Sequence, residues 1–278
     1  MSRPSMRFVL ATLVALCSTA LAKPTDTWLD DLSKKVAKDL ADGKPLVVEV
    51  HVPLCDSSII ACGNAKLGDG DNPDTNLYWS TTPGFGEWFD RRGGGWTRVS
   101  AVRSTEGDIL ATNTYRRTMV TPSAWQKAGA PKKFELDVIV HAWRGKSIDR
   151  ALAQYAADIS GKSSAQIVAW VGHNRLMDLE QFTWPDAGPE TKGAIAIACD
   201  TAPYMKREVS AATRVPLLMT ADLLFANAAP LEAAVLAFAS GGTYAKIRLD
   251  AATAYAGVRK REVKHVFGAF TNPSDARW

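Results

Sequence analysis

The stretch 167–178 (IVAWVGHNRLMD) decides the fold prediction for this chain. It runs apolar for five residues and then presents Gly172 and His173, as a buried strand does where it reaches the edge of a sheet. A second apolar run, 194–201 (AIAIACDT), ends at Cys199. Each of these two predicted buried strands is followed by a side chain that can take part in catalysis. The pattern therefore predicts a functional site at the edge of the sheet.

Strands and helices alternate along the second half of the chain. Apolar, β-branched runs predict strands, and apolar residues at helical spacing predict helices between them. The alternation indicates an α/β fold with a mostly parallel sheet and helices on both of its faces. We expect Ser147 to cap one helix and Pro230 to open another. The predicted strands are 45–52, 134–143, 167–172, 194–198 and 215–219, and the predicted helices lie within 23–44, 147–161, 230–239 and 243–256.

A long irregular segment follows the first predicted strand. From 56 to about 92 the chain is rich in Gly, Asp, Asn and Pro, with scattered aromatic residues, and 96–120 then reads as a hairpin. We expect an insertion at about 56–133 in a single domain of residues 23–278. An irregular segment of this length in a compact domain is usually functional. If it is, its position just past the carboxyl end of the first strand predicts that it forms one wall of a cleft.

The N-terminus has the pattern of a secretory signal peptide. Arg3 and Arg7 precede and flank an apolar run that ends near Leu16, and small residues lead to Ala22. This predicts a signal at 1–22, cleavage after Ala22, and a secreted or periplasmic protein. The mature chain would hold 278 − 22 = 256 residues, and we expect no membrane span within it.

Charge and composition exclude one class of partner. The net charge of +4 falls to +2 when Arg3 and Arg7 are removed, and no run of Lys or Arg follows. The chain therefore lacks the basic patch of a nucleic-acid-binding protein. Hydrophobic residues make up 46% and charged residues 22% of the sequence, which is typical of a globular fold.

The cysteine count leaves one thiol over. Without Cys17, which lies in the predicted signal, three cysteines remain in an oxidising compartment. Cys55 and Cys62 enclose a short loop and could form a disulfide. Cys199 is then free, either as a reactive thiol or as a small buried apolar residue.

His173 and Cys199 have the chemistry of a nucleophile and its base. The 20 residues of 174–193 suffice for a crossover that makes the two strands parallel, and the carboxyl ends of neighbouring parallel strands meet at one edge. Thiol-dependent hydrolysis needs a thiolate and an imidazole that moves protons. Pro203 predicts a helix just beyond Cys199, capped by Thr201 or Ala202, and a helix N-terminus favours the thiolate.

A strand ending in Gly-His followed by a strand ending in Ala-Cys resembles the caspase-like cysteine peptidases, the clan that includes gingipains and legumain. The segment 143–152 (WRGKSIDRAL) is similar to the helix that precedes the Gly-His strand in that clan. The segment 231–256 is similar to the paired small-residue helices that follow the nucleophile in its bacterial members. The resemblance covers about 134–257, under half of the mature chain.

The resemblance implies a three-layer, caspase-like fold and a cysteine peptidase. It implies Cys199 as the nucleophile, His173 as the general acid and base, and backbone amides near Gly172 or Cys199 as the oxyanion hole. The substrate would be a peptide or protein, and no cofactor is implied. The family usually has Gly-His-Gly, whereas Asn174 follows the histidine here. A non-catalytic exported protein of the same fold is the alternative function.

Two metal sites compete with this interpretation. His51 and His141 could join His173 and Cys199 in a zinc site, but no tight metal motif supports it, and we expect no metal. The loop 67–76 (LGDGDNPDTN) places three aspartates close together. It could hold calcium, although self-capping Asx turns are the preferred prediction. The three aspartates are Asp69, Asp71 and Asp74.

The aromatic residues of the insertion offer a binding surface. Tyr78, Trp79 and Trp96, with Arg91 and Arg92, could form a platform for a glycan or a peptide. The chain contains nine tryptophans, and packing in the core is their more common role. The platform would serve the non-catalytic alternative.

Overall fold

A computed structural model describes residues 24–210 and 213–278, with side chains from residue 27 onward. The predicted signal peptide lies outside the described residues. An eight-stranded mixed sheet runs through the molecule in the order β2-β3-β4-β1-β5-β6-β7-β8. Its strands are β1 (Leu46–Pro53), β2 (Thr97–Arg103), β3 (Ile109–Val120), β4 (Lys133–Trp143), β5 (Ile167–Val171), β6 (Lys192–Ile197), β7 (Arg214–Thr220) and β8 (Phe270–Thr271).

Five adjacent strands of the sheet are parallel. They are β4, β1, β5, β6 and β7, while the β2–β3 hairpin and β8 pair antiparallel at the two ends. This confirms the predicted α/β fold with a mostly parallel sheet. The hairpin that we assigned to an insertion continues the sheet beyond β4, so those strands belong to the same sheet as the predicted parallel core.

Seven α-helices accompany the sheet in the described part of the chain. No helix there is both long enough and apolar enough to cross a membrane. The seven helices are α1 (Pro24–Ala41), α2 (Ser123–Lys127), α3 (Ile148–Ala157), α4 (Thr201–Val209), α5 (Ala228–Ala239), α6 (Tyr244–Arg259) and α7 (Val263–Val266).

Helices α3 and α4 begin where the sequence predicted, but the capping of both, and the start of α5, differ from the prediction. The Ser147 hydroxyl does not cap α3 but donates to Asp108 at 2.7 Å. Helix α5 begins two residues before Pro230, because the Asn227 side chain accepts from the Ala229 amide and caps it there. The cap of α4 is Asp200, which has a left-handed backbone (φ 46°) and no side-chain cap bond. Local capping competes with tertiary partners that a sequence pattern does not specify.

Alternate residues of the central strands contribute to two hydrophobic clusters. In β5, Ile167, Ala169 and Val171 pack with residues of α1, α5 and α6. Val168 and Trp170 pack with residues of α3 and α4 instead. Because successive strand side chains point to opposite faces, α3 and α4 lie on one face of the sheet and α1, α5 and α6 on the other.

The segment between β1 and β2 packs against the core although it is almost without regular structure. Its one regular element, in a stretch that is described throughout, is a 3₁₀ turn at Trp88–Asp90. The predicted Cys55–Cys62 disulfide closes its first loop. Four of its aromatic side chains are buried in the cluster of α1, α5 and α6, which explains how an irregular segment becomes ordered: Tyr78, Trp79, Phe85 and Phe89.

Candidate functional site

The structure brings His173 and Cys199 to the same edge of the sheet. Strands β5 and β6 are parallel neighbours, with Val171 opposite Ile197. The Gly172 amide extends this ladder by donating to the Ile197 carbonyl at 3.2 Å. His173 and Cys199 each follow this last pair by two residues, so both leave the sheet at the same edge, as the sequence predicted for the carboxyl ends of adjacent strands.

Asn174 connects the two strand ends. Its side chain is fully buried, and its Nδ2 group donates to the carbonyl oxygens of Cys199 (2.9 Å) and Asp200 (3.2 Å). The Asn174 side chain, directly after His173, is thus bonded to the backbone of Cys199 and of the residue that follows it. Asp200 is held in a left-handed conformation that an L-residue rarely adopts, and one of the two bonds is made to its carbonyl.

Cys199 is a free, half-buried thiol. Its Sγ donates to the Leu224 carbonyl at 3.5 Å. The buried side chains of Tyr78 and Tyr255 lie near this thiol. Burial raises the pKa of each phenol, and the Cys199 sulfur raises it by a smaller amount. These neighbours come from the irregular segment, from the loop after β7 and from α6.

His173 is oriented by a carboxylate. Its Nε2 lies 2.6 Å from Oδ2 of Asp178, and its side chain is 13% exposed. A carboxylate accepts, so Nε2 carries a proton, and in the neutral form of the ring Nδ1 would hold the lone pair. Burial raises the pKa of Asp178, but hydrogen bonds from His173 and Arg175 outweigh it and lower that pKa overall. Nδ1 is therefore the nitrogen that could take a proton from a nucleophile.

Sequence reasoning missed Asp178. The signal was present, since an acidic residue five positions after the histidine can reach back to it across a single turn. Such a turn is observed at Arg175–Met177. Arg175 also pairs with Asp149 at the start of α3 at 2.6 Å. Asp178 is therefore linked through Arg175 to helix α3, on one face of the sheet.

The imidazole and the thiol have partners on different sides of the edge. The histidine is held through Asp178 to α3, whereas the thiol lies with Leu224 and the tyrosines. Among the described residues, the hydrogen bonds of the two side chains do not join them to each other. The backbone thus brings the two residues together, while the side chains are held by separate partners.

Two of the backbone amides near the thiol are already bonded. The Gly172 amide donates to Ile197, and the Asp200 amide donates to Asp222 at 2.9 Å. Of the two positions expected for the oxyanion hole, this leaves the amide of Cys199 as the candidate donor. Helix α4 begins two residues later, and its N-terminus favours negative charge there.

His51 and His141, which were considered as partners of His173 and Cys199 in a zinc site, have other partners. His51 and His141 stack on each other, with ring centroids 5.8 Å apart, in paired positions of β1 and β4. Each has a carboxylate neighbour: Glu49 lies 3.0 Å from Nε2 of His141, and Asp158 lies 3.1 Å from Nε2 of His51. These histidines therefore belong to a separate polar cluster.

This polar cluster contains a possible metal-ligand set, but its hydrogen bonding does not suit a cation. In the described part of the chain, Glu49, His51 and Asp158 bring three ligand atoms within 4.8 Å of one another. The indole N–H of Trp143 donates to Nδ1 of His51 at 3.1 Å. Nδ1 is therefore unprotonated, and the proton of the neutral ring is on Nε2, the nitrogen that a cation would need. The arrangement fits a structural network better than a metal centre.

The aspartate loop adopts the predicted Asx turns. The Asp71 amide donates to Oδ1 of Asp69, and the Asp74 amide donates to Asn72, both at 3.0 Å. Two of the carboxylates also form ion pairs with arginines: Asp71 with Arg144, and Asp74 with Arg103. The loop carboxylates thus have partners within the protein.

A buried glutamate of α5 anchors the aromatic segment. Glu232 accepts from the indole N–H groups of Trp88 (2.8 Å) and Trp96 (2.7 Å) and from the guanidinium of Arg91 (2.5 Å). The Arg91 and Arg117 guanidinium groups lie over the two indole rings, 4.1 and 5.9 Å from their centroids. Trp96, which was considered for a binding platform, and Trp88 are thus engaged within the protein.

The anchored segment forms one wall of a groove of about 820 Å³. The opposite wall is formed by α5 and the C-terminal end of α6. Phe225, one residue beyond the Leu224 carbonyl that accepts from the thiol, lies in the lining. Leu224 and Phe225 thus link the thiol to the groove lining along the chain. We call this groove the insertion groove.

Comparison of this chain with protein-family models, with curated proteins and with solved structures finds no match.

Proposed function

We propose that this chain is an exported thiol-dependent hydrolase, a cysteine peptidase of three-layer, caspase-like fold, with Cys199 as nucleophile and His173 as general acid and base. One observation carries the proposal: the two residues follow neighbouring parallel strands in a common register at one edge of the sheet. The order of the two residues along the chain also supports the resemblance. A secretory signal at 1–22 would direct the chain to the secreted or periplasmic compartment.

The residues present would divide the reaction as follows. The thiol gives up its hydrogen bond to Leu224 and transfers its proton to Nδ1 of His173, and the thiolate attacks the substrate carbonyl carbon. The Cys199 amide stabilises the oxyanion. The imidazolium, held by Asp178, then protonates the leaving amine as the C–N bond breaks. Water hydrolyses the resulting thioester and releases the acid and the free thiol.

The test is chemical modification followed by turnover. With iodoacetamide at neutral pH, we expect Cys199 to react much faster than free cysteine, and His173→Ala to remove that advantage. A fluorescently labelled unfolded protein should be cleaved by the wild type and not by Cys199→Ala. A folded protein in which Cys199 remains unlabelled would rule out the nucleophile assignment.

A second candidate function is non-catalytic binding of a peptide or a glycan through the aromatic segment. The insertion groove favours it, because Trp88 and residues near it line a large cavity. The engagement of the Trp88 and Trp96 indole N–H groups by Glu232 leaves those groups no free donor for a sugar. The Cys199→Ala variant separates the two candidates, since a binding protein would retain its ligand.

A further inference from the structure

The insertion groove is mostly apolar. The two helices contribute aliphatic and small side chains to it, and its volume of about 820 Å³ lies in the range of sites for small organic ligands. The apolar side chains in its lining are Pro83, Trp88, Phe225, Leu236, Val258 and the alanines Ala229, Ala233 and Ala254.

The charged groups of the groove are unbalanced. Three arginines line it against one carboxylate, Glu232. Glu232 is paired with Arg91. In the described part of the chain, neither Arg117 nor Arg259 forms an ion pair: Arg117 donates to the Gly94 carbonyl, and Arg259 lies over the Phe225 ring. Two guanidinium groups therefore lack an anionic partner, one from the sheet side and one from the end of α6.

The backbone in the walls offers few free groups to an extended peptide. Within α5 and most of α6 the backbone groups are bonded inside the helix, and the Ala256 and Gly257 carbonyls accept from the capping amide of Lys260. Gly94 is also satisfied, since its amide donates to Arg91 and its carbonyl accepts from Arg117. A peptide lying here would bury its own amide and carbonyl groups against apolar side chains without partners, which is unfavourable. An aliphatic or aromatic body carries no such penalty.

From these features we infer that the insertion groove binds an amphiphilic organic acid, with its apolar body against α5 and α6 and its carboxylate at Arg117 and Arg259. This binding does not depend on the hydrolase proposed above. The site is distinct from the thiol, although Phe225 and Leu224 connect the two places along the chain.

The test is calorimetric titration with decanoate below its micelle concentration. We expect saturable binding to the wild type and weaker binding at high salt, since the carboxylate contacts are partly exposed. Arg117→Gln combined with Arg259→Gln should weaken binding about tenfold. Gly257→Phe should weaken it at least as much, because a side chain at this exposed position meets nothing within 4 Å and would project into the groove.

Arg261→Gln is the matched control, because Arg261 is exposed and lies two residues beyond the groove lining. It should bind decanoate like the wild type. Arg117 also donates a hydrogen bond to the Gly94 carbonyl, so its replacement could alter the groove wall. The single variant Arg259→Gln removes one guanidinium group and leaves that hydrogen bond intact. Circular dichroism checks that each variant is folded.

Three results would overturn the inference. Equal binding of 1-decanol would show that the arginines select no anion. Binding of acetyl-Leu-Glu-Leu amide but not decanoate would assign the groove to an acidic peptide. Absence of decanoate binding to the folded wild type would exclude the site. None of these results depends on Cys199 reactivity, so the failure of this inference and of the hydrolase proposal can be told apart.

Discussion

The side-chain amide of Asn174 donates to the backbone carbonyl of Cys199 at 2.9 Å and is completely buried. This bond joins the residue after the candidate base to the candidate nucleophile across 25 positions of sequence. The Asn174 side chain thus spans the edge of the sheet between the ends of β5 and β6. We assign Asn174 as a positioning residue.

Replacing Asn174 tests that assignment. Asn174→Ala should lower the rate of Cys199 alkylation about tenfold, because small displacements of reacting groups are costly. It should also lower the free energy of unfolding by about 2 kcal/mol, since two partly buried carbonyl groups lose their donor. The alkylation rate is followed by mass spectrometry as a function of pH, and stability by urea unfolding.

Asn272→Ala is the matched control for this experiment. Asn272 is equally buried, and its Nδ2 also donates to two carbonyls, those of Leu217 (3.1 Å) and Tyr244 (2.8 Å). Asn272→Ala should lower the free energy of unfolding by a similar amount and leave the rate of Cys199 alkylation unchanged. If both variants slow alkylation alike, Asn174 acts only through general stability.

Asp178 should matter through the orientation of His173. Asp178→Asn keeps an acceptor for Nε2 but removes the charge that stabilises the imidazolium, so we expect alkylation of Cys199 and any peptide turnover to fall about tenfold. Asp149→Asn is the comparison, because Asp149 pairs with the same Arg175 (2.6 Å). An equal loss in both variants would assign the effect to Arg175 rather than to the histidine.

Glu232 should dominate the stability of the aromatic segment. Glu232→Gln replaces one oxygen by a donor that faces the N–H groups of Trp or Arg, and we expect a loss of about 3 kcal/mol in the free energy of unfolding. Tryptophan fluorescence during urea unfolding measures it. Exposed Glu87→Gln, from the same segment, should unfold at the wild-type midpoint, and a shared shift would contradict the anchoring role.

Glu49 gives a pH dependence with a definite sign. Burial raises its pKa, but hydrogen bonds from His141 and Ser163 outweigh that and lower it from 4.5 to about 2 in the folded protein. The unfolded chain thus binds a proton at higher pH than the folded one. The stabilisation is fully present above pH 4.5 and is lost as pH falls toward about 2.

Urea unfolding at a series of pH values checks this prediction. Glu49→Gln should be less stable than the wild type at neutral pH, and the difference should narrow in acid. Exposed Glu106→Gln should follow the wild-type curve throughout. A constant gap between Glu49→Gln and the wild type at all pH values would show that the carboxylate charge contributes nothing.

Sequence alone determined the framework of this protein. The apolar runs predicted the central strands, and their order along the chain predicted that His173 and Cys199 would reach one edge. The short loop between Cys55 and Cys62 predicted their disulfide. These features follow from side-chain periodicity and short separations, which local sequence records directly.

Tertiary structure alone decided which partners each polar side chain took. Glu232 and Trp88 lie 144 positions apart, and Asn174 meets Cys199 only because two strands pair in one register. Such contacts depend on how whole elements pack, and a buried polar group bonds to whichever partner the packing brings within reach. For that reason the sequence indicated which residues would reach the edge, while the fold determined which groups hold them.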